Sequence, residues 1–286
     1  MNRNILSPYV RVAMYSTLRK NFIINERVIF DFELIYVSGG ECEISFDGVP
    51  YLCKKGDAVL IPPGVSHRFT VGDCEFVQPH IHFDAIYGEN SERTPISFKP
   101  LAKMSADEIG LIQKNIFEDI GIPYVFTPYD PTRFGSVFFE AVDAYLGKKI
   151  GYELVCKIKL LELISMLLYQ FDRERSAVGD TSPIVAVKNY IDNNYLQTIS
   201  LDMLEKQFYI NKFTLMRNFK KTYRINIIEY YRARRAEFAK RSLKTTATPI
   251  GTIGEQLNFT DIYSFSRFFK MQTGMSPREY REKSSK

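Results

Sequence analysis

Two ten-residue segments, fifty positions apart, carry the same side-chain chemistry. Arg217, Phe219 and Lys220 in the first fall on Arg267, Phe269 and Lys270 in the second. Asn211 likewise falls on Asp261, Phe213 on Tyr263, Thr214 on Ser264 and Leu215 on Phe265, and the register carries on from Glu229-Tyr230 to Glu279-Tyr280. A fixed period with matched residue types marks a duplicated structural unit. A guanidinium group can hold guanine O6 and N7 together, and ammonium and guanidinium groups neutralise phosphate, so the repeat suits contact with nucleic acid.

The elements that must position these groups are helices. Asn211 and Asp261 can accept hydrogen bonds from the free N–H groups of a first turn. Leu215 with Phe219, and Phe265 with Phe269, are four apart and share one helix face, leaving Arg217 and Arg267 to project elsewhere. Before each copy lies a shorter apolar stripe, Leu201/Leu204/Phe208 and Ile250/Ile253/Leu257, at the i, i+3, i+7 spacing of a buried face. Two short helices joined by a tight turn, the second presenting cations, predict helix-turn-helix units at about 201–222 and 250–273. Base contacts are expected from Lys212, Phe213, Met216 and Arg217 in the first unit and from Ile262, Tyr263, Ser266 and Arg267 in the second. Phosphate contacts are expected from Lys220, Lys221, Arg224, Lys270 and Arg278, with Asn211 and Asp261 at the helix starts. For Arg217 and Arg267 the competing reading is a phosphate contact or a solvated charge; for Phe213 and Tyr263 it is half-buried packing.

Charge agrees with this placement. Residues 183–286 hold 19 Lys/Arg against 9 Asp/Glu, whereas the preceding residues hold 19 against 24. A basic C-terminal part on a mildly acidic body suggests a polyanion-binding module attached to a regulatory one.

At these residues the chain resembles the DNA-binding domain of the AraC/XylS family of bacterial transcription regulators. The resemblance covers about residues 183 to 283 and includes the tail Gly274-Met275-Ser276-Pro277-Arg278-Glu279-Tyr280-Arg281. It implies two helix-turn-helix units bridged by a long helix, here Asn226 to Leu243, which holds the recognition helices apart for successive major grooves about 34 Å apart. Several positions depart from the family pattern. Glu205 stands where a small residue is usual, Phe208-Tyr209 where a turn glycine is usual, Gly254 where alanine is usual and Asn258 where the second turn glycine is usual. Asparagine tolerates the left-handed backbone, so the second turn is expected to survive, and the first unit is the less orthodox.

The N-terminal part reads differently. Short β-branched or aromatic runs at 33–37, 42–46, 58–61, 67–71 and 75–77 are separated by turn signals such as Asp47-Gly48 and Pro62-Pro63-Gly64. Such spacing predicts a jelly-roll barrel, and the whole chain an α+β protein of two domains. Gly56, Pro62, Gly64 and His67 resemble the second motif of cupins. The strand that should carry the metal ligands of the first cupin motif, Phe30-Asp31-Phe32-Glu33, holds no histidine, so neither a metal site nor a cofactor is expected. His80 and His82 share a strand face, and a three-histidine site with His67 is the alternative to plain polar packing or ligand contact. Regulators of the resembling family keep this barrel as a metal-free small-molecule sensor; sugars are common effectors. Phe32, Tyr36, His67, His80 and His82 are the candidate effector-binding residues.

Residues 1–100 are thus assigned to the barrel, 101–175 to a helical connection, 176–182 to a linker and 183–286 to the DNA-binding domain. Asp107 to Ile120 suggests a short helix. Helices are expected at 133–146 and about 152–171, the second with Leu154, Ile158, Leu161, Ile164/Ser165 and Leu168 along one stripe. That stripe serves either packing on the barrel or a homodimer seam, the role the resemblance implies. No apolar run approaches the roughly 18–20 residues of a membrane span, and Cys42, Cys53, Cys74 and Cys156 are scattered as reduced thiols would be in a cytoplasmic protein. No phosphate loop or nucleophile–histidine pair appears, so an enzyme is not expected. The expected partners are double-stranded DNA, a small-molecule effector and a second copy of the chain, with RNA polymerase as a further candidate. The competing readings are a metal-dependent cupin enzyme joined to a DNA-binding domain, and a regulator that senses no effector.

Overall fold

The computed structural model describes residues 3–176 and 183–284. The linker assigned to 176–182 therefore lies, beyond Ser176, outside the described residues. Contacts group the chain into two units, Met1–Phe46 with Pro50–Asp180, and Asp47–Val49 with Thr181–Lys286.

The first unit is built on strands β1 (Tyr9–Met14), β2 (Thr17–Leu18), β3 (Ile23–Arg27), β4 (Phe32–Tyr36), β5 (Glu41–Phe46), β6 (Val49–Lys54), β7 (Ala58–Ile61), β8 (His67–Val71), β9 (Phe76–Val77), β10 (His80–Asp84) and β11 (Val125–Phe126). They form a five-stranded sheet in the order β1-β10-β4-β7-β11, a four-stranded sheet in the order β3-β8-β5-β6, and the small β2-β9 pair. Asp47 (φ 46°) and Gly48 (φ 77°) are both left-handed, as a two-residue hairpin turn between twisted strands requires. Burial alternates along β6, the mark of a strand with one wet face, but every residue of β7 and the first four of β4 are buried.

Helices explain the second covered face. A short α1 (Ala106–Gly110) precedes α2 (Pro131–Gly147) and α3 (Tyr152–Ser176). Asp130 caps α2 by accepting from the Arg133 N–H, and Pro131 supplies a preset first turn. Phe134, Val137, Phe138 and Ala141 of α2, with Leu160, Leu163, Ile164 and Leu167 of α3, close over Phe32, Leu34, Leu60, Ile81 and Phe83 of the sheet. Each large side chain so buried contributes about 1.5–3 kcal/mol, which binds these helices to the barrel as one core. The helices expected within 101–175 thus share the core of the strands. The expected helix at 107–120 shrinks to α1 and a single 3₁₀ turn, Glu118–Ile120, closed by left-handed Gly121. Along the α3 stripe Ile164 and Leu168 are buried, while Leu154 and Ile158 remain 63% and 54% exposed.

The second unit contains α4 (Pro183–Asn194), α5 (Leu201–Phe208), α6 (Lys212–Tyr223), α7 (Ile227–Thr245), α8 (Ile250–Gln256), α9 (Ile262–Thr273) and α10 (Pro277–Ser284). Asn226 and Glu229 start α7 with a reciprocal capping box, and its 19 residues span about 28 Å at 1.5 Å per residue. No helix among the described residues is long and apolar enough to cross a membrane.

The turns of the two helix pairs differ. Asn258 adopts φ 53°, a conformation its short polar side chain tolerates, but Tyr209 adopts φ 54° with its ring 94% exposed. A bulky residue held there costs about 1 kcal/mol or more, and the exposed ring returns little packing. Tyr209→Gly is therefore expected to stabilise the second unit by about 1 kcal/mol, read as a higher urea midpoint at unchanged slope. An unchanged or lower midpoint would show that the ring packs more than its exposure implies.

Candidate DNA interface and buried barrel site

The α5–α6 and α8–α9 pairs set their last helices in the same way. Asn211 Oδ1 accepts from the Phe213 N–H at 3.0 Å, and Asp261 Oδ1 accepts from the Ser264 N–H at 2.7 Å. Leu215 and Phe219 of α6, and Phe265 and Phe269 of α9, are fully buried. That anchoring turns Arg217 and Arg267 outward. Both are exposed, and neither is tied to an acidic side chain among the described residues. Phe213 (67% exposed), Ile262 (45%) and Tyr263 (79%) lie bare near the same helix starts, whereas Met216 and Ser266 are half-buried. Lys220, Lys221 and Lys270 are exposed further along. Lys212 is half-buried and its Nζ lies 2.7 Å from Asp202 Oδ1, an exposed pair whose grip is weak enough to exchange for another anion.

Two of the residues expected at phosphates are already engaged as helix caps. Hydrogen bonds from the Ser264 backbone and hydroxyl hold the Asp261 carboxyl below the usual range, so it is an anion already used as a cap and repels phosphate. Asn211 spends its oxygen on the cap and donates Nδ2 to Glu205 Oε1 at 3.2 Å. Glu205, in the place of a small residue, thus braces the α6 start. In the second pair Gly254 leaves room for Phe265, whose Cβ would lie only 3.1 Å from a Cβ at that position. Arg224 holds a left-handed C-cap of α6, and Arg278 Nε donates to Glu282 Oε1 at 3.0 Å on the exposed α10.

The basic residues of α7 divide. Arg232 and Arg241 are exposed, but Arg235 is buried, its guanidinium 4.4 Å from the Phe259 ring, 5.2 Å from Tyr231 and 5.6 Å from Phe268, with a donor on the Leu257 carbonyl.

In the first unit the candidate effector residues part company. Phe32 is stacked 5.3 Å from Phe83 and meets Phe117 edge-on at 5.2 Å, inside the sheet–helix core. The Tyr36 ring lies 5.8 Å from Phe139, and its hydroxyl donates to the Pro131 carbonyl at 3.2 Å. Both lie on the face covered by α2 and α3 rather than with the histidines, and Phe32 also lines the cavity beside Arg11 and Asp84 described below. The residues of opposite parity point the other way. Glu33 pairs across strands with His82, and His80 with Ile35, which sets Glu33, His80 and His82 on the other face of the sheet.

These three offer ligand atoms within 4.8 Å of one another. His67, which the sequence grouped with the other histidines, is engaged on both sides. Its Nδ1 lies 3.0 Å from the Val65 carbonyl, and its Nε2 accepts from Arg27 Nε at 3.0 Å, partners that assign the proton to Nδ1. Burial drives the His67 pKa down to about 4, keeping the ring neutral. Glu33 is held at about 2 although burial alone would raise it, because His82 and Arg27 more than offset that penalty. For His82, burial works against the proton, but Glu33 and Asp31 outweigh it and raise its pKa. Sequence reasoning missed Glu33 as a partner because it looked for histidines in that strand; the usable signal was the cross-strand pairing of a lone acidic residue with His82.

A separate cavity of about 390 Å³ lies beside Arg11, Asp84, Thr94 and Gln113. Asp84 accepts from Arg11 at 2.5 and 3.0 Å and from Gln113 Nε2 at 2.5 Å. None of these four residues was anticipated from sequence, since a polar group spread over four distant segments leaves no local motif.

Comparison with known proteins agrees with both halves. A profile described as an AraC-like ligand binding domain matches residues 20–164, and one described as a helix-turn-helix domain matches residues 204–283. Over 250 residues the chain is 25% identical to the arabinose operon regulatory protein of Salmonella typhimurium, covering 85% of this chain and 80% of that one. It is 24% identical over 260 residues to the uncharacterized HTH-type transcriptional regulator YisR of Bacillus subtilis, covering 90% and 88%. Among solved structures, the C-terminal domain of AraT, a response regulator from Geobacillus stearothermophilus, covers 36% of this chain and 86% of its own, at 26% identity and a TM-score of 0.35. With the ligand-binding profile alone spanning half of its residues, the chain belongs to the AraC/XylS family of transcription regulators, an AraC-like ligand-binding domain followed by a helix-turn-helix DNA-binding domain.

Proposed function

We propose that this regulator reads an operator with α6 and α9 and alters that reading when an effector occupies its first unit. The observation that carries it is the pair of capped helices, each anchored by a buried aromatic face and each showing an exposed, uncommitted arginine, Arg217 and Arg267. In this reading Arg217, Arg267, Phe213, Ile262 and Tyr263 meet base edges, helped by Met216, Ser266 and a Lys212 released from Asp202. Lys220, Lys221, Lys270, Arg224 and Arg278 meet phosphates. An α7 about 28 Å long between the two helix pairs suits units that enter adjacent turns of one duplex face.

The effector is a small polar molecule held in the cavity beside Arg11, Asp84 and Gln113, whose roughly 390 Å³ falls within the usual range of small-ligand pockets. The exposed apolar residues Leu154 and Ile158 on α3 are the seam of a homodimer, through which occupancy alters how two DNA-binding halves are presented. The protein acts in the cytoplasm as a regulator and not as an enzyme, with RNA polymerase as a further partner. The test is titration of a selected operator, and of random duplex, with and without members of a small-molecule panel. At least one compound should change operator affinity and raise the melting temperature of the full chain. Operator affinity indifferent to every compound that binds would remove the effector half of the proposal.

A narrower outcome concerns Lys220. Lys220→Ala should weaken specific and random DNA alike and reduce the slope of log affinity against log salt by about one unit. An unchanged slope places the ammonium away from phosphate.

A further inference from the structure

We propose that Glu33, His80 and His82 form a binding site for one divalent first-row transition metal ion, with Nε2 of each histidine and Oε1 of Glu33 as ligands and solvent completing the shell. The site goes beyond the effector reading above, since none of its three ligands is among the residues named there, although Asp31 links His82 to the Arg11–Asp84 pair beside that cavity.

The atoms are already sorted for this task. His82 Nδ1 is 3.2 Å from Asp31 Oδ1, and His80 Nδ1 is 3.3 Å from the Gln78 carbonyl, so both rings are held by one nitrogen and offer the other. A ligating histidine braced through its second nitrogen by a carboxylate or carbonyl is the usual supporting arrangement at metal sites. Glu33 divides its oxygens: Oε1 lies 3.7 Å from His82 Nε2, while Oε2 lies 3.5 Å from Arg27. Ligands about 2.0–2.2 Å from a tetrahedral ion sit roughly 3.3 Å apart, so small side-chain rotations close the set. Two imidazoles and one carboxylate with an open position suit zinc and its neighbours better than calcium or magnesium, which require oxygen shells.

Charge supports the same assignment. Asp31, Glu33 and Asp84 stand against the two guanidiniums of Arg11 and Arg27, so these buried or nearly buried side chains carry one more negative charge than positive. A buried excess of this kind is costly unless a cation joins it, either a proton on His82 or a metal ion that takes its place. Arg27 does not block the site, because His67 Nε2 takes its Nε and the Phe98 ring, 4.9 Å away, covers its guanidinium. His80 is only half-buried, which gives an ion an approach to ligands that are otherwise enclosed.

The test is competition for Zn²⁺ between a chromophoric chelator and the full-length protein, with Co²⁺ absorption as a second readout. One equivalent should be retained by the unsubstituted chain. His80→Ala and Glu33→Gln should each weaken retention about 100-fold or more and remove the tetrahedral Co²⁺ band, and Asp31→Asn should weaken it about tenfold. Melting curves check that each variant folds; should Glu33→Gln not, the half-buried His80→Ala and His80→Gln decide. Failure of the unsubstituted chain to compete, or equal retention by the His80 variants with loss in Cys74→Ser, would overturn the proposal.

Discussion

Arg235→Ala is expected to lower the stability of the DNA-binding unit by about 3 kcal/mol, the largest effect of any basic residue in it. The side chain is 8% exposed and packs its guanidinium against three rings while donating to the Leu257 carbonyl at the end of α8. Losing a hydrogen bond from a charged donor costs about 1.5–3 kcal/mol, and desolvated cation–π contact adds up to about 2 kcal/mol. Against this, removing a buried cation also removes its desolvation penalty, so the sum settles below the top of the range, at about 3 kcal/mol. The urea midpoint should fall at unchanged slope, and the salt slope of DNA binding by the folded fraction should not move. An unchanged midpoint would mean that Tyr231, Phe259 and Phe268 close the α8–α9 corner without help.

Arg267→Ala should do the reverse: leave stability within about 0.5 kcal/mol and weaken operator binding by about 1–3 kcal/mol. The side chain is exposed on α9 and opposes the buried Phe265/Phe269 face, so its removal opens no cavity. A bidentate contact to guanine gives discrimination at one base pair, so preference at that position should relax while random-sequence affinity changes little. Equal loss on operator and random duplex would reassign it to phosphate. The two substitutions separate a cation that builds the reading head from one that reads, although both are arginines in the same unit.

That separation was only partly visible in the sequence. Repeat, caps and helical period located α5, α6, α8 and α9 because each signal is local: Asn211 and Asp261 are followed by apolar residues at i+4 and i+8. By charge alone Arg235 is indistinguishable from Arg232, Arg234, Lys240 and Arg241 of the same helix, and only tertiary packing sets it apart. In the barrel, β4 is buried on both faces, so alternation could not tell which parity lines the interior. Phe32 and Tyr36 were chosen on aromatic character and belong to the helix-covered face; Glu33, between them in parity, faces the histidines. The stretch at 107–120 misled for another reason. It carries helix-like apolar spacing, but after α1 the chain is drawn into packing by Phe117 and Ile120, and Gly121 ends the only further turn.

The central claim is that α6 and α9 lie together on one face of a duplex. Hydroxyl-radical footprinting of the full chain on its selected operator measures this directly. Two protected patches on one face, about one helical turn apart, with the α9 patch lost in Arg267→Ala and the α6 patch lost in Arg217→Ala, is the result expected. A single patch unaffected by either substitution, or no protection at concentrations where random DNA is already bound, would contradict it.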